Sequence, residues 1–203
     1  MATSSTPYGL KPVKRADGMP YAGATSQYLI DPAGEATNLF YGQVVIIGAD
    51  GYIALATGTG ADLTSNSISG TSGVGAIGVF VGCEYVNAQG QTIFAQYYPS
   101  GTANGGPIKA YVVDDPNVLF QCQANAAMDQ SDIGANVYFT TAQTTSTGST
   151  ATGNSTSAVV GATVTTAAAF RVVAAVSDLT ESNPDILVKF NPGAHQMTNN
   201  VGI

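Results

Sequence analysis

The sequence GAIGVFVGCEYVNAQGQTIFAQYY, residues 75–98, indicates the fold class of this chain. Its two halves, 75–86 and 91–98, are rich in β-branched and aromatic residues, and Asn87–Gly90 between them has the composition of a turn. In the second half, small or apolar residues alternate with polar residues and Phe94. Such alternation is typical of a strand with one packed face, so we predict an antiparallel hairpin rather than buried parallel strands.

Short β-rich runs separated by Gly, Asp, Asn and Ser cover the chain from Thr25 onward. Asp50-Gly51 lies between two such runs and is a strong hairpin signal, because both residues tolerate positive φ. Only residues 124–133 have a helix-forming composition, and they lack a sustained apolar stripe. We therefore predict an all-β fold, an antiparallel β-barrel or sandwich body with short strands and little helix. The predicted strands are 25–31, 43–48, 51–57, 75–86, 91–98, 108–113, 117–123, 134–141, 156–165, 169–177 and 185–191.

Residues 1–24 contain three prolines and show neither helical nor strand periodicity. Proline fixes φ and removes a hydrogen-bond donor, so we predict an extended N-terminal arm here. The arm includes several apolar side chains, which favours its lying along a surface of this chain or of a neighbour. The body then comprises residues 25–203, with two subdomains meeting near 100–107 as an alternative.

Two segments of low complexity, 57–74 and 140–157, are rich in Gly, Ser and Thr. We predict that both are surface loops. An alternative is that their hydroxyl groups order against neighbouring subunits. The second segment could also extend as an edge strand, because threonine has a high β propensity.

Charge is scarce and unevenly placed. Charged residues make up 9% of the chain and hydrophobic residues 44%, a composition that suits permanent contact with other subunits. Lys11, Lys14 and Arg15 lie in the first fifteen positions, which contain no acidic residue; the remainder has three basic and thirteen acidic residues, a formal −10. The basic arm either docks on an acidic partner or is a solvated terminus. A body this acidic disfavours direct nucleic-acid binding.

The sequence indicates an intracellular origin. We expect synthesis in a cytoplasm, since the start lacks the apolar run of a secretory signal, and no segment is apolar for long enough to span a membrane. Cys83 and Cys122 both lie in strand-like runs. We predict two buried free thiols, with a disulfide as the alternative.

Groups for catalysis are few. His195 is the only histidine, and no serine or cysteine has the local sequence of a known nucleophile. Two separated cysteines and one histidine do not form a zinc site. Asp114 and Asp115 could contribute to a cation site or to a hydrolase that uses carboxylates alone, but an Asp-Pro sequence more commonly caps a turn. We therefore predict no enzyme activity, no cofactor, and no catalytic or metal-binding residue.

The N-terminal segment resembles a known family. Tyr8-Gly9-Leu10-Lys11-Pro12-Val13, followed by Gly18, Pro20 and Tyr21, resembles the start of the head decoration, or capsid cement, proteins of tailed bacteriophages. Leu39–Val44 is similar to a second element of that family, with Gln43 in place of the usual acidic residue. The C-terminal runs IGANVYF, FRVVAAVSD and ILVKFNPGAHQ resemble it as well.

The resemblance implies a structural virion protein on the outer capsid surface that bridges neighbouring major capsid proteins and stabilises the icosahedral shell. It also implies a homo-oligomer, either a dimer or a trimer. We expect truncation of residues 2–20 to abolish binding to expanded shells while the body stays folded. The alternative function is a β-rich phage fibre or bacterial adhesin-type binding module. The expected partner-binding residues of the arm are Tyr8, Leu10, Lys11, Pro12, Val13, Lys14, Arg15 and Tyr21.

Overall fold

The computed structural model describes residues 4–32, 37–61, 75–101, 106–144 and 146–198. These residues form eleven strands and two short 3₁₀ helices, which confirms the all-β prediction. The strands are β1 (Lys11–Arg15), β2 (Ser26–Ile30), β3 (Val44–Ile47), β4 (Ile53–Leu55), β5 (Gly78–Val86), β6 (Thr92–Ala95), β7 (Ile108–Val113), β8 (Val118–Gln123), β9 (Asn136–Val137), β10 (Phe170–Ala175) and β11 (Asp185–Phe190); the 3₁₀ helices span Gln130–Asp132 and Pro192–Ala194.

The strands form two sheets. The first, here called the open sheet, has the order β1-β8-β11-β10-β9 and is antiparallel throughout its described pairs. The second has the order β3-β4-β2-β7-β5-β6, and an additional pairing of β3 with β5 closes five of its strands into a barrel. β6 lies outside this closure, on the C-terminal half of β5. The chain crosses from the barrel to the open sheet between β7 and β8.

The barrel strands contribute to two hydrophobic cores, one inside the barrel and one between the barrel and the open sheet, because successive strand residues point to opposite faces. In β3, Val45 points into the barrel, whereas Val44 packs between the barrel and the open sheet. In β7, Val112 and Val113 divide in the same way. The core between the sheets also contains four phenylalanine rings, with centroid separations of 5.0–5.8 Å: Phe120, Phe139, Phe170 and Phe190.

Both predicted hairpins are present. At the β3–β4 turn, Gly51 has φ +82°, and its N–H donates to the carbonyl of Gly48 at 2.9 Å. At the β5–β6 turn, the N–H of Asn87 donates to the carbonyl of Gln91 at 2.9 Å. The turn chemistry in the sequence thus fixes both connections.

Two predicted strands differ from the structure. The strand predicted at 134–141 is reduced to Asn136–Val137, and residues 156–165 make only isolated bridges. In the second of these, the N–H of Gly161 donates to the side chain of Asn125 at 2.9 Å, and an added Cβ at Gly161 would lie 2.5 Å from the carbonyl oxygen of Ala126. Residues 124–133 contain one 3₁₀ turn, which agrees with the prediction of little helix.

The expected extended arm over residues 1–24 is not confirmed. Residues 11–15 form β1, which pairs antiparallel with β8 at the edge of the open sheet. Leu10 is fully buried in the core between the sheets, and its N–H donates to the carbonyl of Gly42 at 2.9 Å. Proline is compatible with an edge strand, so Pro12 does not prevent the pairing. The truncation of residues 2–20 would therefore remove a core residue and a strand of the sheet.

The threonine-rich segment 140–157 is not simply a surface loop. Its side chains at Gln143 and Thr147 are buried against the start of β3. Gln143 Oε1 accepts the N–H of Val44 at 3.0 Å, and Gln43 Nε2 donates to Thr147 Oγ1 at 3.0 Å. Most of the other low-complexity segment, residues 62–74, lies outside the described residues.

Candidate functional site

A groove of about 710 Å³ lies where the edge of the open sheet meets the outside of the barrel. Hereafter it is called the groove, and two sides line it. The barrel side contributes residues from β5, β6 and β7 and the residue just after β6. The sheet side contributes residues from β8, from β1 and from just before β1. The lining residues are Val81, Gly82, Cys83, Phe94, Ala95, Gln96 and Tyr111 from the barrel side, Tyr8, Lys11 and Gln121 from the sheet side, and Tyr41 and Asn154 from loops.

A β-bulge shapes the barrel side of the groove. The pairing of β5 with β7 shifts register between Phe80 and Gly82, so one extra residue is inserted at Val81. Gly82 has φ +152°, and a side chain there would approach the carbonyl of Ala95 to 3.1 Å. The bulge therefore places Val81 on the outer face of the barrel while Phe80 and Cys83 both pack in its interior.

Tyr8 is held in place on the sheet side by a carboxylate. Its hydroxyl donates to Asp185 Oδ1 at 2.9 Å, and Gln121 Nε2 donates to Asp185 Oδ2 at 3.2 Å. Burial, followed by the hydrogen bond to Asp185, raises the pKa of Tyr8 well above its ordinary value. Tyr8 is consequently a neutral donor at physiological pH, and its ring forms a fixed wall of the groove.

A similar arrangement holds Tyr111 on the barrel side. Its hydroxyl donates to Glu84 Oε2 at 3.0 Å, and Lys109 Nζ lies 3.4 Å from Glu84 Oε1. Desolvation and the hydrogen bond to Glu84 raise the pKa of Tyr111. The carboxylates nearest the groove are thus already engaged by tyrosine hydroxyls, an amide and a lysine.

The charge of the groove differs from that of the chain as a whole. Among the described residues that line it, Lys11 is the only ionised side chain, and none is a carboxylate or an imidazole. The whole chain has a net charge of −7. Burial raises the pKa of Cys83 to about 12, so this thiol is not a nucleophile at neutral pH. Among its described lining residues, the groove therefore presents an uncharged surface with one basic side chain within an acidic chain.

Two of the eight expected partner-binding residues, Tyr8 and Lys11, line the groove. The other six do not. Leu10 is buried, and Pro12 is half-buried opposite Phe120 of β8. Val13 is 39% exposed. Lys14, Arg15 and Tyr21 complete the set, and they lie farther along β1 or just after it.

The basic residues of the segment have different environments. Arg15 Nη1 lies 2.7 Å from Asp115 Oδ2, and Arg15 Nε lies 3.1 Å from Asp17 Oδ2. Its charge is therefore engaged within the chain. Tyr21 donates its hydroxyl proton to the carbonyl of Ala24 at 2.7 Å. These contacts separate Lys11, in the groove, from Arg15, which stabilises the turn after β1.

Sequence reasoning missed the barrel side of the groove. Tyr111, Phe94 and Gln96 come from strands that were predicted, but their meeting with Tyr8 depends on how the two sheets pack. No local signal marks this side. Phe94 occupies the polar-face position of an alternating strand and is 71% exposed, but a single exposed apolar residue is common on protein surfaces.

The other candidate residues have structural roles. Asp115 Oδ1 accepts the N–H of Asn117 at 2.9 Å, and Tyr28 donates to Asp114 Oδ2 at 2.8 Å, which supports the turn-capping interpretation. His195 is buried against the ring of Phe190, and its Nδ1 accepts the N–H of Met197 at 3.2 Å.

Two observations concern the chain as described. Cys83 and Cys122 are both free and buried, as predicted. Over the described ranges, no three metal-ligating side chains come together, and no helix is long and apolar enough to cross a membrane.

No protein-family model, characterised protein or solved structure matches this chain. Inference of its function therefore depends on the chemistry of the groove and on the sequence resemblance.

Proposed function

We propose that this chain is a structural virion protein that decorates an icosahedral phage capsid and stabilises it by bridging neighbouring major capsid proteins. The observation that supports this proposal best is the groove, an open surface of aromatic rings and amides with one lysine and no carboxylate among its described lining residues. Such a lining favours non-covalent contact over reaction chemistry. The resemblance of Tyr8–Val13 to the capsid cement family supplies the class of partner.

The groove can provide affinity without burying unpaired charge. Tyr8, Tyr41, Phe94 and Tyr111 offer aromatic surface. Full burial of an exposed side chain contributes about 1.5–3 kcal/mol, so Phe94 would contribute most and the half-buried tyrosines less. The amides of Gln96 and Gln121 can satisfy a partner's backbone groups. Lys11 would pair with a carboxylate of the partner. Each such contact is weak, but repetition over a capsid lattice makes the sum effective.

Bridging requires a second contact surface away from the groove. The second half of β1 and the turn that follows it provide one, since Val13 in β1 is partly exposed and Met19 in the turn is exposed on the surface. Both are apolar, and both lie beyond the end of β1 that faces the groove. In the proposed arrangement the groove contacts one capsid subunit and this second surface contacts the next.

Cosedimentation of the purified protein with expanded shells tests the proposal. We expect Lys11→Glu to weaken binding, because it places a negative charge in the acid-free groove. Lys189→Glu is the matched control: it makes the same charge change on β11 of the open sheet, outside both the groove and the surface around Val13 and Met19. Equal binding of both variants and the wild type would contradict the proposal. Thermal unfolding of each variant shows whether the fold is intact.

A phage fibre or adhesin-type binding module is the second candidate. Aromatic rings beside the amides of Gln96, Gln121 and Asn154 are also suitable for contact with a neutral sugar. A glycan array separates the two functions. Sugar binding by the wild type that is lost in Tyr111→Ala would favour the binding module, whereas shell binding without any glycan signal would favour the decoration protein.

A further inference from the structure

β6 is a strand with an open edge. It pairs with β5 on one side, and within the described ranges no strand pairs with its other side. The bond from the N–H of Asn87 to the carbonyl of Gln91 fixes the phase of the ladder, so Gln91, Ile93 and Ala95 direct their backbone groups toward β5. Thr92 and Phe94 therefore direct their N–H and C=O groups to the open edge.

Apart from the shortness of β6, which has four residues, this edge lacks the usual protection against pairing. Edge strands are commonly protected by charges, by proline or by a bulge that twists them away. Residues 85–108 contain no charged residue, and β6 contains no proline. Phe94, at the centre of the edge, is 71% exposed. An uncharged strand that exposes both backbone groups and a phenyl ring is a surface for the addition of another strand.

The length of the available edge is limited at one end. The side chains of Gln96 and Asn154 are hydrogen-bonded, and Gly153 lies against Gln96. An added strand can thus pair along Gln91–Ala95, but beside Gln96 there is room only for a residue with a small side chain. If the added strand is β6 of a second copy in antiparallel orientation, centred on Ile93, its Gly90 falls opposite Gln96. A glycine fits that narrow position.

We propose that β6 pairs with β6 of a second copy of this chain, about a two-fold axis at Ile93. In this register, Thr92 exchanges two backbone hydrogen bonds with Phe94 of the second copy, and Phe94 exchanges two with Thr92 of the second copy. Charge favours the same partner: two copies that each carry −7 repel one another least where both surfaces are uncharged. The pairing does not depend on the proposed capsid function.

Sedimentation velocity of the full chain tests the association. We expect a dimer of about twice the 20.5 kDa chain mass. Phe94→Lys places one lysine from each copy in the proposed β6–β6 pairing. Thr92→Pro removes an N–H that points to the open edge without removing a hydrogen bond to β5. Each variant should weaken association roughly tenfold or more. Val176→Lys, at a half-exposed position of the open sheet, is the control and should leave association unchanged.

Cysteine crosslinking tests the register. Ile93 would face Ile93 of the second copy in a non-hydrogen-bonded pair with Cα atoms about 4.5 Å apart, within disulfide range. Oxidation of Ile93→Cys should give a covalent dimer, while Leu29→Cys, a half-exposed site on β2, should not. A wild type that is monomeric at every concentration would overturn the proposal. So would a dimer that is insensitive to both edge variants, or equal crosslinking at both cysteine positions.

Discussion

Replacement of Leu10 by alanine tests whether the N-terminal segment is part of the fold. A free arm would leave Leu10 exposed to solvent, but Leu10 is completely buried in the core between the two sheets. The backbone on either side is fixed by hydrogen bonds from Gly9 to Ser157 and from Leu10 to Gly42. The site therefore has little freedom to collapse around a smaller side chain.

The expected cost follows from this burial. A Leu→Ala change in a rigid core removes transfer free energy and leaves a cavity, which together cost about 2–5 kcal/mol. We expect a loss of about 3 kcal/mol for Leu10→Ala, because the surrounding backbone is fixed. For a chain of this size, that corresponds to a fall in melting temperature of about 6–12 °C.

Urea unfolding followed by tyrosine fluorescence or circular dichroism measures the change, since the chain contains no tryptophan. Val13→Ala is the control from the same segment, because Val13 is 39% exposed and its truncation should change stability by less than about 1 kcal/mol. If Leu10→Ala is as mild as Val13→Ala, the segment is a detachable arm and the assignment of β1 to the sheet is wrong.

Three further predictions concern stability. Gly9→Ala should lower the free energy of unfolding by more than about 1 kcal/mol, because Gly9 has φ +75° and an added Cβ would lie 2.6 Å from the carbonyl oxygen of Gly42. Urea unfolding measures this loss, and an unchanged midpoint would contradict the close approach. Tyr8→Phe should cost about 1–2 kcal/mol, since Asp185 loses a hydrogen-bond donor; a midpoint equal to that of the wild type would show that this bond adds no stability. Burial lowers the pKa of His195 in the folded chain below its ordinary value of 6.5. As the pH falls, the imidazole is therefore protonated in the unfolded chain before it is protonated in the folded chain, and the free energy of unfolding should decrease below about pH 6.5. The His195→Asn variant should show a shallower decrease in melting temperature over that range, and an identical pH profile would exclude His195 as the cause.

Much of the fold could be predicted from local sequence. Alternation and turn residues define the β5–β6 hairpin, and Asp50-Gly51 defines the β3–β4 hairpin, because both signals are contained within a few residues. The segment containing Pro12 was missed as a strand because its pairing partner, β8, lies far along the chain. Local periodicity does not report such a distant partner.

The candidate site was predictable only in part. Tyr8 and Lys11 were selected from the sequence, but as members of an arm, whereas the structure places them beside Tyr111 and Phe94. The bond from Tyr8 to Asp185 joins residues 177 positions apart. The closure of the barrel and its packing on the open sheet create the groove, and neither is visible in residue spacing.

Cryo-electron microscopy of expanded capsid shells incubated with this protein tests its proposed function most directly. We predict ordered density for the protein on the outer surface, with the groove at Tyr8, Lys11 and Tyr111 closed by a segment of the major capsid protein. Shells without added density, or density in which the groove faces solvent and another surface makes the contact, would contradict the assignment of the groove as the docking site.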